Sequence, residues 1–162
     1  MKQYLLKQAV MNKVLYALLP IVLFSIFLFG WRTLIVVLFT NCVAFITEFM
    51  MVRKKTMPKV SMAVFVTGTL LALTLPPTIP LWIAGVSAVI GVLFGKMVFG
   101  GFGTNVFNPA IVGRTFVYIS FPKEMTVSWV KPFTDFPGGF LHYQTIEAFQ
   151  KITSASPVGI MK

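Results

Sequence analysis

Acidic residues are the scarcest feature of this 162-residue chain, four Asp and Glu against fourteen Lys and Arg. The net charge of +10 therefore reflects missing acids more than abundant bases. Charge of either sign is thin as well. Charged residues make up 11% of the chain and apolar ones 57%, whereas soluble domains carry ~25% and ~45–50%. That shortage excludes a water-soluble globule and a disordered chain, and it excludes nucleic acid as a partner. The one cysteine, Cys42, forbids an internal disulfide or a Cys-rich metal site. The one histidine, His142, cannot assemble a zinc site from this chain alone. What remains is an all-α, polytopic transmembrane protein whose solvent is the lipid bilayer, with a mean hydropathy of +0.85.

A hydrocarbon core ~30 Å thick needs roughly 17–25 helical residues. Five apolar runs come near that length, at 14–30, 33–52, 60–75, 79–94 and 108–121. Gly30-Trp31-Arg32 after the first run is no small-residue cleavage site, so that run is read as a retained span. Pro76-Pro77 closes the third, because proline cannot continue a helix. The fourth extends to Phe99 if Lys96 snorkels toward the surface. These runs define a transmembrane domain over 1–121, followed by an extramembrane segment over 122–162. The segment holds three of the four acids, the turn signals Lys131-Pro132 and Phe136-Pro137-Gly138-Gly139, and a short amphipathic stretch at 145–152.

Basic residues set the orientation, because they accumulate on the cytoplasmic side. With the N-terminus inside, that side holds Lys2, Lys7, Lys13, Arg53, Lys54, Lys55, Lys59 and Lys96, and the outer turns hold only Arg32. The expected topology is N-terminus in and C-terminus out, in the inner (cytoplasmic) membrane.

Three features could carry chemistry. Gly100, Gly101 and Gly103 permit positive φ, and Asn108-Pro109 provides an N-cap with proline at the first helical position. An irregular link running into a helix N-terminus near the bilayer is either an ordinary interfacial loop or a ligand-facing half-helix of the transporter kind. Arg114 lies ~9 Å further along that helix at 1.5 Å per residue, where exposure to lipid costs at least ~2.5–3.5 kcal/mol. It is read either as an anion or cofactor-phosphate partner or as a structural arginine bonded to carbonyls of the glycine segment. Glu48 is read as an interfacial acid paired with Arg53 or Lys54. Thr67-Gly68-Thr69 and Thr74 are read as close helix-packing positions. No general acid–base or nucleophilic pair is present, so any enzymatic role is that of one component in a larger enzyme.

The motifs Gly68-Thr69-Leu70-Leu71-Ala72-Leu73-Thr74-Leu75-Pro76-Pro77, Gly95-Lys96, Gly100-Gly101-Phe102-Gly103, Asn108-Pro109-Ala110 and Gly113-Arg114 together resemble a known membrane family. Its members are the RnfD component of the Rnf electron-transport complex and the matching membrane component of the sodium-translocating NADH:quinone reductase. The likeness runs from about Leu6 to the end and corresponds to the N-terminal half of the family. It implies one half of an inverted-repeat architecture like that of urea and ammonium channels, with a second five-span half expected from outside these residues. It also implies FMN joined by a phosphoester to a Thr or Ser hydroxyl on the outer side. A flavin transferase makes that bond, reading an Asp, two variable residues, Ser/Thr, a small residue, Ala and then the acceptor. On this chain Thr153 and Ala155 fill motif positions and Ser156 is the acceptor, while Gln150 stands where the motif has Asp. A second flavin, such as riboflavin, is expected near the glycine loop, with Arg114, Asn108, Gly101 and Gly103 as its candidate contacts. The expected function is a membrane subunit of an ion-translocating Rnf-type complex, working with its other membrane subunits and relaying electrons through the covalent FMN. The alternative is half of a small-solute channel or transporter without a covalent cofactor.

Overall fold

The computed structural model of the chain describes residues 5–6, 9–53, 60–101, 103–133 and 139. Long apolar runs with no polar face fold as helices because every backbone N–H and C=O is then satisfied within the segment. Helix α1, Ala9–Phe29, is followed after Gly30 by α2, Trp31–Val52. Both are long and apolar enough to cross a membrane. Shorter apolar helices follow as α3, Ala63–Thr74, and α4, Leu81–Val92, and then come α5, Pro109–Ser120, and the six-residue α6, Pro122–Val127. The one sheet among the described residues is a two-residue parallel pair, β1 Leu5–Leu6 with β2 Val60–Ser61.

The helices lie over the five apolar runs, with boundaries that differ for local reasons. The first helix begins at Ala9 rather than at 14, and Lys13 inside it is exposed, so its charge does not end the helix. Residues 60–61 pair as strand rather than opening α3. Pro80 stands at the N-cap of α4, leaving Ile79 in a turn closed by its N–H on the Pro76 carbonyl, 3.1 Å.

Successive helices reverse direction, which sorts the molecule into two ends. One end, here the basic end, gathers the starts of α1, α3 and α5 with the finishes of α2 and α4. The far end gathers Gly30, the 75–80 turn and residues 121–133. Helix α2 packs on both α3 and α4, and α4 packs on α5. Val36, Val64, Leu71, Ile83, Val92 and Val117 form the fully buried centre of that arrangement. Between α2 and α3, a Cβ on Gly68 would lie 2.5 Å from Asn41 Oδ1, and the Asn41 amide donates to Thr69 Oγ1 at 3.1 Å. The Thr67-Gly68-Thr69 stretch thus packs one helix closely on another and hydrogen-bonds across the contact.

Arg32 organises the far end. Its guanidinium donates to the carbonyls of Pro77, Thr78 and Ile79 at 3.1, 3.2 and 3.1 Å, gathering orphan acceptors of the α3–α4 turn. Thr78 Oγ1 donates to the Ser128 carbonyl at 2.6 Å, and the Phe133 N–H donates to Leu28 O at 2.8 Å. These bonds fold the stretch after α5 back over the helix ends. Arg32→Leu strips three carbonyls of a charged donor and is expected to lower stability by about 1.5–3 kcal/mol, read from thermal unfolding in lipid nanodiscs.

Candidate functional site: a buried ion pair beneath a glycine loop

Helix α4 does not stop at Val92. It widens into a π-helical turn, Leu93–Met97, in which the Val98 N–H reaches the Leu93 carbonyl at 3.0 Å. Such turns are rare and concentrate at functional sites. The wider turn advances less per residue, so Lys96 stays nearly in line with buried Ala88 and Val92. Lys96 is only 2% exposed.

Its Nζ lies 2.6 Å from Glu48 Oε2 and 2.6 Å from Ser61 Oγ. Glu48 is equally buried, and its other oxygen accepts from the Ser61 N–H and Oγ, both at 3.1 Å. The three side chains close a ring in which Ser61 accepts from the ammonium and donates to the carboxylate. Both sequence expectations here are corrected. Glu48 pairs with Lys96 and not with Arg53 or Lys54, and Lys96 turns inward rather than snorkelling. The physical reason is that a carboxylate buried among three elements needs a counter-charge, and the π turn delivers one. A signal was available: α2 and α4 run the same way, so charges near the ends of the second and fourth runs fall at one level.

The glycine loop closes the same end. Gly100 and Gly101 adopt φ of 112° and 114° and donate to the carbonyls of Met97 and Lys96, both at 3.1 Å, with Gly103 at φ 90°. Gly101 and Gly103 have nothing within 4 Å of where a Cβ would stand, so it is backbone conformation and not space that calls for glycine there. The loop then enters α5 as anticipated. Asn108 is the N-cap, its side-chain oxygen accepting from the Ala110 N–H at 3.0 Å, and Pro109 takes the first helical position.

Two cavities border this end. One of about 350 Å³ is lined by Met11, Thr67, Lys96, Asn105, Asn108 and Pro109, among others. The other, about 540 Å³, is an apolar groove walled by Phe94, Phe99, Phe107, Ile111 and Phe116, with Asn108 at its edge. Asn108 borders both; Gly101, Gly103 and Arg114 border neither. Arg114 is exposed on the outward side of α5, and among the described residues it bonds to no carbonyl of the glycine segment. Ser156, Thr153 and Ala155, and the stretch at 145–152, lie outside the described residues. Among the described residues no three His, Cys, Asp or Glu converge as a metal site. The ring's polar groups bond to one another, so its evident work is to lock α2, β2 and the end of α4 together.

Residues 3–162 match the model of the NQR2, RnfD, RnfE family. The RnfD-type subunit of the ion-translocating oxidoreductase complex of Halorhodospira halophila (strain DSM 244 / SL1) is 40% identical over 126 residues, which is 75% of this chain and 35% of that protein. Its counterpart in the proton-translocating ferredoxin:NAD(+) oxidoreductase complex of Clostridium ljungdahlii is 34% identical over 155 residues, 94% of this chain and 43% of the relative. The counterpart in the ion-translocating oxidoreductase complex of Actinobacillus succinogenes is 30% identical over 175 residues, covering 94% and 49%. The chain thus spans between about a third and a half of the length of the curated relatives it matches. With its apolar helices and its match over nearly every residue, the chain is a membrane protein that belongs to the NQR2, RnfD, RnfE family.

Proposed function

We propose that the chain is a membrane-embedded part of an ion-translocating electron-transport complex of the Rnf type, relaying electrons through FMN held as a phosphoester on Ser156. The observation that carries the reading is the family match combined with the reversal of the helices. The segment leading to Ser156 leaves from the end opposite the N-terminus and Arg53, and the basic residues favour a cytoplasmic position for that second end. Ser156 has the primary hydroxyl a phosphoester needs, and Ser154 and Ala155 before it are small. When bound, the flavin supplies the redox chemistry, and the protein's part is to set its depth and surroundings. A second, non-covalent flavin has a suitable place in the groove of Phe94, Phe99, Phe107 and Phe116, whose aromatic walls match a planar ring. The remaining membrane subunits, a second five-span half and a flavin transferase complete the proposed assembly, in the inner membrane with the N-terminus inside.

Co-expression with a flavin transferase should give a fluorescent band at the mass of the chain on a denaturing gel, and Ser156→Ala should abolish it. Absence of the band in the unaltered protein, together with solute flux in liposomes, would favour the channel alternative.

A further inference from the structure

Helix α5 buries Ala110, Gly113 and Val117, which recur at helical spacing on the side facing α4. Its opposite stripe, Ile111, Arg114, Thr115 and Tyr118, is exposed over the length of the helix. An arginine halfway along such a helix cannot be left against hydrocarbon; it has to face protein or water. Among the described residues no carboxylate reaches it: Glu48 is bonded to Lys96, and Glu124 stands on α6. The chain as a whole offers four acids to fourteen bases, so complementary charge has to come largely from elsewhere. The relatives it matches are two to three times as long as the region in common.

We infer that the Ile111–Arg114–Tyr118 stripe of α5 is a docking surface for a membrane-embedded helix that carries a carboxylate, and that this helix belongs to the polypeptide corresponding to the remaining length of the relatives. Arg114 forms the ion pair at the centre of the contact, with Ile111 and Tyr118 packing on either side of it. The inference rests on the proposed two-part assembly and adds to it the face, the residue and the partner's charge.

The test places a photo-activatable benzoylphenylalanine at Tyr118, one turn from Arg114, in the full complex in native membranes. The adduct is identified by mass spectrometry. A peptide from the polypeptide matching the relatives' remaining length, bearing Asp or Glu, is the expected product. Arg114→Glu should reduce that adduct at least tenfold, and Arg114→Lys should retain most of it, with both variants checked for equal amounts in the membrane. Arg114→Gln serves as the second variant if Arg114→Glu does not accumulate. Adducts confined to lipid, to residues 134–162 of this chain or to some other protein of the complex would overturn the inference, as would an Arg114→Glu yield equal to the parent. Covalent flavin is scored on the same membranes, so failure of the contact is distinguishable from failure of the redox reading.

Discussion

Lys96→Met is expected to destabilise the chain by about 3–5 kcal/mol, because it leaves the Glu48 carboxylate buried with only Ser61 to answer it. The loss should be visible as an earlier thermal transition of the tryptophan fluorescence in lipid nanodiscs. Adding Glu48→Leu should restore most of the stability, since apolar side chains of similar volume often replace a buried ion pair at little or no net cost. A single-variant loss below about 1 kcal/mol would show that the pair sits in water rather than between helices. Equal losses for the single and double variants would show that the ring's geometry, and not its charge balance, holds α2 to α4.

The second large effect is expected where α4 meets α5. A Cβ on Gly113 would collide with the Ser87 carbonyl, and one on Gly91 would lie 2.6 Å from the Pro109 carbonyl. In both cases the obstacle is backbone, which cannot rotate aside as a flexible side chain would. Gly113→Val should therefore force the two helices apart and lower stability by about 3 kcal/mol, the upper part of the usual overpacking range. The same nanodisc melt reads it. Because α5 holds the glycine loop and Arg114 in place, the variant should also reduce co-purification of partner subunits. Unchanged stability would mean that the helices cross with more clearance than the structure gives.

How legible these features were depended on the range over which each is encoded. The entry to α5 is local, and Asn108 followed by Pro109 was enough to place its cap. The order of the helices followed from unbroken apolar runs, which fold as helices in any apolar surrounding. The ion pair was hidden because its members lie 48 residues apart and meet only through a π turn, which has no simple pattern in sequence. The same holds for Arg32, which read as an isolated outer charge until the 75–80 turn was seen to fold its carbonyls onto it. Arg114 was singled out by its depth alone, yet its lack of a carbonyl partner depended on which side of α5 it occupied.

The claim on which the functional reading stands is that the stretch after α5 lies across the membrane from Arg53. Single cysteines introduced as Lys131→Cys and Arg53→Cys, in a Cys42→Ser background, report this directly, because Lys131 and Arg53 are both exposed and lie at opposite ends of the molecule. A membrane-impermeant maleimide added to intact cells, with the outer membrane opened where there is one, should label position 131. Position 53 should react only after the inner membrane is permeabilised. Labelling of 53 but not 131 in intact cells would put Ser156 on the cytoplasmic side and contradict the account.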